Sequence, residues 1–390
     1  MKDFNFNIAT KILFGRDKLD EIPEEIKKYG DKVLLVYGKG SIKKIGLYDK
    51  IVKVLEDAKI SYHELSGVVP NPRIDKCREG VDLVKKNNID FILAVGGGST
   101  IDTAKLVAAG AKANCDPWDI VIGKHDPVDA VPLGSVLTLS ATGSEMDVAS
   151  VITNEETGQK LGWGSEYVLP KFAVMDPEVT FSVDKYHTAA GTADIMSHTM
   201  ENYFSLNDGA YLQDRFAEGV LKTCIKYGPI AIKEPENYEA RANLMWAGSW
   251  AINGLLDSGK STAWSVHPME HELSALKDIT HGVGLAILTP YWLEYCLNDE
   301  TAEKIAEFGH NVFDLDRGNS FEEDAKRAIE ELRKFFVSIG IPKTLREEGF
   351  NEEDLKVMAK NCMANRAKPE IAGFVHLEEK DVLEIYKMAL

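Results

Sequence analysis

The sequence predicts a chain of two parts. An N-terminal α/β domain on a parallel sheet covers residues 1–184, and an all-helical C-terminal domain covers 185–390. Three observations lead there. The first half alternates short apolar runs with amphipathic stretches, a hairpin pattern closes it, and beyond Asp184 the apolar residues recur almost throughout at helical spacing.

Lys32–Tyr37 (KVLLVY) is a buried strand by its unbroken apolar character, and Gly38-Lys39-Gly40-Ser41 ends it. A helix runs through Asp49–Leu55, followed by the run Ser61–Leu65 (SYHEL) and the turn Pro70-Asn71-Pro72. A second helix reaches Asn88, and Phe91–Val95 (FILAV) is the next strand. This β-α-β-α-β order calls for a parallel sheet with helices on both faces. Pro132–Leu139 adds a strand, and Val148–Trp163 forms a hairpin around the polar turn NEETG. Helices are then expected at Ala189–Ser205, Tyr211–Tyr227, Tyr238–Leu256, His281–Leu297, Thr301–Phe313, Phe321–Ile339, Glu352–Ala364 and Asp381–Met388. Ligands are expected in a cleft between the two parts.

Composition narrows the function. Hydrophobic residues make up 44% and charged ones 27%, as in a globular protein. Sixty-two acids against 45 bases give a net charge of -17, which repels phosphate backbones and argues against nucleic acid as a partner. The N-terminus lacks the apolar core of a signal peptide, and the longest apolar stretch, VGLAILTPYWLEYCL, holds Pro290 and Glu294 and is too short to span a bilayer. Cys77, Cys115, Cys224, Cys296 and Cys362 are odd in number and form no CxxC pair. They read as reduced thiols of a cytoplasmic protein that has no membrane partner and is open to homo-oligomerisation.

Chemistry concentrates in three places. Gly96-Gly97-Gly98-Ser99 follows the strand FILAV and opens a helix at Thr100. Glycines there let backbone approach a phosphate, and the helix start offers free N–H groups. The run is not G-x-G-x-x-G, because Ile101 takes the place of the third glycine. A tight turn with Ser99 as N-cap and Asp102 at the positive helix end is the other account. Thr138–Glu145 (TLSATGSE) also follows a strand, and both phosphate binding and a plain capping run fit it.

The third place is the stretch Thr188–His281. On a helix, Asp194 and His198 stand one turn apart on one face, and His267 and His281 lie downstream. One oxygen and three nitrogen donors suit Fe(II) or Zn(II), whereas Mg(II) or Ca(II) would want mostly oxygen. Spacing alone leaves open that these are four unrelated polar residues.

Two further motifs compete. Gly254–Ser261 (GLLDSGKS) fits the Walker A letters, but the residues before it have helical spacing and no β-branched run. His267-Pro268-Met269-Glu270-His271 fits H-x-x-E-H, a zinc-peptidase pattern that would leave Asp194, His198 and both small-residue turns without a role. A non-catalytic metal- or nucleotide-binding protein is the third alternative.

At these residues the chain resembles the iron-containing alcohol dehydrogenase family, and within it the butanol dehydrogenase branch. The similarity runs over nearly the whole length, through GGGSTID, TLSATGSEMD, FAVMDPE, TAAGTADIMSHTMENYF, HPMEHELSA and ITHGVGLAI. The resemblance implies a Rossmann-like parallel-sheet domain followed by a helical one. It also implies Asp194, His198, His267 and His281 as metal ligands, and His271 as an active-site residue. Cofactor contacts implied in the same way are Gly38, Ser41, Asn71, Gly97, Gly98, Ser99, Asp102, Thr138, Thr142 and Lys160, although a solvated hairpin lysine is the plain alternative for Lys160. Asp184 departs from the pattern, standing where the family usually has proline. The expected activity is reversible, metal-dependent reduction of a small aldehyde such as butanal with NAD(P)H. Gly38 carries no acidic side chain to hold a ribose 2′-hydroxyl or repel a 2′-phosphate, so NADPH is expected to be accepted and preferred.

Overall fold

The computed structural model describes residues 1–205, 209–366 and 369–390. The chain divides into two units: Asn7–Val183 with Pro235–Ser249, and Met1–Phe6 with Asp184–Glu234 and Trp250–Leu390.

The first unit carries strands β1 (Lys11–Phe14), β2 (Lys32–Gly38), β3 (Ser61–Val68), β4 (Phe91–Gly96), β5 (Leu133–Leu137), the hairpin β6 (Ala149–Asn154) and β7 (Gln159–Gly164), and β8 (Phe172–Met175). Six of them form one sheet in the order β1-β8-β5-β4-β2-β3, with every neighbouring pair parallel. Helices α1 (Ile22–Ile26), α2 (Ser41–Lys44), α3 (Leu47–Asp57), α4 (Ile74–Asn87), α5 (Gly98–Lys112) and α6 (Pro117–Val121) lie between the strands.

Strand alternation explains the apolar runs. Val33, Leu35 and Tyr37 of β2 enter one core with Phe91, Leu93 and Val95 of β4, while Leu34, Val36, Ile92 and Ala94 enter the other. A sheet buried on both faces needs apolar residues at every position, which is what KVLLVY and FILAV supply. The expected sheet and hairpin are present. β1 and β8 were not foreseen: each is four residues long, too short for periodicity to separate from loop.

The second unit is helical: α7 (Lys185–Tyr203), α8 (Tyr211–Lys233), α10 (Val266–Lys277), α11 (His281–Cys296), α12 (Ala302–Val312), α13 (Phe321–Ser338), α14 (Glu352–Ala364) and α15 (Glu379–Ala389), with two-residue strands β9 (Ile371–Ala372) and β10 (His376–Leu377). Helix α9 (Tyr238–Ile252) belongs up to Ser249 to the α/β unit. There Trp246 packs edge-on to Phe14, Arg16 lies 3.9 Å over the Tyr238 ring, and Arg241 donates to the Val183 carbonyl. Asp184 caps α7, its carboxylate accepting the His187 N–H at 2.8 Å, so the departure from proline supplies a helix start. Among the described residues no helix is long and apolar enough to cross a membrane.

Candidate active site

Parallel strands put all their carboxyl ends on one edge of the sheet, where α/β proteins place ligands. Gly38 ends β2, and Gly96 ends β4 beside Leu137 of β5. Gly97–Ser99 and Thr138 therefore follow neighbouring strands, tied by the Thr138 N–H to the Gly96 carbonyl at 3.1 Å. Ser41 starts α2, just beyond Gly38.

The two small-residue segments pack on each other. A Cβ on Gly98 would sit 2.4 Å from Thr142 Oγ1, and one on Gly97 would sit 3.2 Å from Leu139 Cβ. Packing thus bars a side chain at Gly98 and crowds one at Gly97, and the first-turn N–H groups of α5 carry the argument for phosphate. The Asp102 carboxylate accepts the Ser144 hydroxyl at 2.7 Å and the Val151 N–H at 2.9 Å, and burial pushes it up to about 6. Buried Lys105 donates to Ser144 Oγ and the Ala149 carbonyl and pairs with Asp147. Asp102 and Lys105 thus fasten the second segment to α5.

Asn71 is buried in a left-handed turn at φ 49°. The hairpin lies beside it, because the Thr153 N–H donates to the Pro72 carbonyl at 2.8 Å. Lys160, paired across the hairpin with Thr153, is only 3% exposed, which disposes of the solvated-lysine account.

The helical unit gathers the other set. Asp194 and His198 stand one turn apart on α7, His267 is in the first turn of α10, and His281 begins α11. One donor atom from each lies within 4.8 Å of the other three. Asp194 Oδ1 is 3.7 Å from His198 Nε2 and 3.8 Å from His281 Nε2, and the His198 and His267 rings stack at 4.8 Å. Burial first, then the neighbouring His267 and His281, hold His198 well below its usual range, so it is a neutral lone-pair donor. His267 Nε2 is buried with no hydrogen-bond partner among the described residues. Burying a polar atom unpaired is costly, and a cation in this nest would relieve it. The donor set therefore fits a borderline divalent metal at the usual ~2 Å ligand distances.

Close approach of α11 to α7 and α10 makes the set possible. A Cβ on Gly282 would lie 2.0 Å from the Ala190 carbonyl oxygen, and one on Gly284 2.8 Å from Glu270 Cγ. His271 is one turn beyond His267, its ring centroid 6.4 Å from that of His267 and 5.8 Å from that of His281. Trp264 stands edge-on to His198 and His267, at 5.7 and 4.6 Å.

The sequence reading did not foresee Trp264, nor two carboxylates behind the histidines. Glu201 contacts His267 Nδ1 at 3.0 Å, and Glu270 contacts His281 Nδ1. Spacing puts each one turn from a ligand, Glu201 after His198 and Glu270 after His267, but each serves a histidine of another helix, which spacing does not record.

The competing motifs find no support. Gly254–Ser261 is a loop after α9, and Lys260 is spent on Asp214 and the Asn202 carbonyl. Glu270, the would-be peptidase base, is engaged by His281 and the Ser274 hydroxyl.

Comparison with known proteins agrees with this layout. The profile described as iron-containing alcohol dehydrogenase matches residues 9–177, and that of the C-terminal part of the Fe-containing alcohol dehydrogenase family matches 188–390. NADH-dependent butanol dehydrogenase A of Clostridium acetobutylicum is 53% identical over 387 residues, 99% of each chain. NADPH-dependent aldehyde reductase YqhD of Escherichia coli is 38% identical over 364 residues, 92% of each. The crystal structure of NADH-dependent butanol dehydrogenase A from Thermotoga maritima superposes with a TM-score of 0.95 at 40% identity, covering 100% of this chain and 99% of that one.

Proposed function

This chain belongs to the iron-containing alcohol dehydrogenase family, and we propose that it reduces a small aldehyde such as butanal reversibly to the primary alcohol. One observation carries the reading: the buried nest of Asp194, His198, His267 and His281, with His267 Nε2 lacking any partner among the described residues. These four would hold one divalent metal, Fe(II) by the family and Zn(II) by the same donor chemistry. When bound, the metal acts as Lewis acid toward the carbonyl oxygen, and the reduced nicotinamide supplies the hydride.

The chain's own residues do the rest. Asp194 contributes the anionic ligand, and the three histidines contribute ring nitrogens. Gly97, Gly98 and Ser99 at the start of α5, with Thr138 and Thr142 beside them, would cradle the pyrophosphate, and Asp102 would act behind them by holding the two segments together. Gly38, Ser41, Asn71 and Lys160 would hold the remainder of the dinucleotide. The His271 imidazole would deliver the proton to the product oxygen. Butanal as substrate is supported by the names of relatives 53% and 50% identical, both butanol dehydrogenases. A cytoplasmic location is supported by the five thiols, all unpaired.

The test is metal analysis of anaerobically purified protein together with butanal turnover under both cofactors. Stoichiometric metal with NAD(P)H oxidation is expected; metal-free protein of full activity would refute the reading.

His271→Ala is expected to retain its metal and slow turnover by about 10²–10⁴-fold, the usual contribution of a proton-transfer group. Loss of the metal instead would make His271 a ligand.

Cofactor choice turns on Gly38. A Cβ there would meet only the Val68 carbonyl at 3.4 Å and φ is not positive, so the backbone admits a side chain at this position. Lys43 lies 4.3 Å over the Tyr48 ring, close to Glu64, which accepts the Tyr48 hydroxyl. Gly38 argues for NADPH, whereas two relatives are named NADH-dependent and a third NADPH-dependent. Gly38→Asp is expected to move the ratio of kcat/KM toward NADH, chiefly by weakening NADPH. A wild type strongly selective for NADH, or an unchanged ratio in the variant, would show that Gly38 is not the determinant.

A further inference from the structure

We propose that Glu201 and Glu270 are positioning residues of the metal centre, each holding one ligand imidazole by its Nδ1–H so that Nε2 faces the ion. The proposal rests on the metal reading above and extends it to residues behind the ligands.

Glu201 lies on α7, one turn beyond His198, and is 2% exposed. One carboxylate oxygen accepts the backbone N–H of Val266 at 2.8 Å and of His267 at 2.9 Å; the other accepts that of Ser265 at 2.7 Å. These N–H groups open α10, have no partner within the helix, and sit at its positive end. Glu201 Oε1 already accepts two of these N–H groups and so stands as an acceptor toward its third neighbour. The contact of 3.0 Å between the same oxygen and His267 Nδ1 therefore makes Nδ1 the protonated nitrogen. Nε2 is left with the lone pair, and it is the buried nitrogen with no partner among the described residues.

Glu270 repeats the arrangement from another helix. It is fully buried on α10, one turn beyond His267, accepts the Ser274 hydroxyl and contacts His281 Nδ1. The opposite ring nitrogen, His281 Nε2, lies 3.8 Å from Asp194 Oδ1. The third histidine differs. His198 Nδ1 is buried without a hydrogen-bond partner among the described residues, so two of the three imidazoles have a carboxylate behind them. Such a partner fixes the tautomer and ring angle and raises the basicity of the ligating nitrogen. Glu201 has a second consequence: the group that orients His267 also caps the helix carrying it.

The test uses metal-stripped full-length protein titrated with Co(II) against a competing chelator, reading stoichiometry, affinity and the visible ligand-field spectrum. Wild type is expected to bind one Co(II) per chain; no binding would refute the metal reading itself. Glu270→Gln and Glu201→Gln are each expected to keep that stoichiometry, weaken Co(II) by about 10–100-fold and change the spectrum. Glu201→Gln also weakens a helix cap, so unfolding of the metal-free protein is measured alongside. Glu270→Gln carries no such ambiguity. Wild-type affinity and spectrum in Glu270→Gln would overturn the proposal. Two Co(II) per wild-type chain would also overturn it, because Glu270, His271 and His281 would then be ligands of a second ion.

Discussion

Asp194→Asn and His198→Ala are each expected to lose most of the bound metal, and butanal turnover with it, while the helical unit stays folded. Asp194 is the hub of the set, with His198 Nε2 and His281 Nε2 both within 4 Å of one of its oxygens. It is also the one oxygen ligand in a set whose other members are imidazole nitrogens. Changes behind the ligands already cost about 10–100-fold in metal affinity or activity, and removing a ligand itself should cost more. Elemental analysis, a butanal assay and far-UV circular dichroism on each variant check this. Full metal content with wild-type turnover in either one removes that residue from the ligand set.

Gly282→Ala should do nearly as much damage without touching a ligand. Its new Cβ would meet the Ala190 carbonyl oxygen at 2.0 Å and Asp194 Cβ at 3.2 Å, and the first of these is backbone that cannot rotate away. Helices α7 and α11 must part, and overpacking of this kind costs about 1–3 kcal/mol. The larger effect is on geometry, because His281 precedes Gly282 and moves with it. A drop in metal affinity of about tenfold or more is expected, within the range for a disturbed site, together with a lower melting temperature. Gly219→Ala in α8, whose Cβ would meet nothing within 4 Å, is the control and should melt no lower than wild type. Unaltered metal binding and melting in Gly282→Ala would show that the helices yield at no cost.

These two cases mark how far sequence could reach. Asp194 and His198 were visible because both lie on one helix, where spacing translates directly into proximity. The central strands were visible because burial on both faces writes an unbroken apolar run. Four-residue β1 and β8 give too little pattern to read. The contact between Glu201 and the start of α10 joins residues more than 60 positions apart, and no local period records it. Gly282 and Gly284 were quoted in the motif ITHGVGLAI, yet only the packing shows why a side chain is barred there. The glycines after β4 carry the opposite lesson. They suggested a ligand, and the close approach of Thr142 to Gly98 and of Leu139 to Gly97 is a second reason for small residues there.

The division of the chain has a consequence for its synthesis. Passing from one unit to the other after Phe6, Val183, Glu234 and Ser249, the polypeptide interleaves them. A ribosome that has delivered every strand of the large sheet has not yet delivered residues 235–249, which supply Trp246 to Phe14 and Tyr238 to Arg16. The α/β unit therefore cannot be finished as an independent vectorial product when its last strand emerges. The helical unit, in turn, takes in Met1–Phe6 from before the sheet, for the Lys2 N–H binds the Gly259 carbonyl at 2.9 Å. A nascent chain cut at residue 184 should stay protease-sensitive around β1, and one extended past Ser249 should gain protection there.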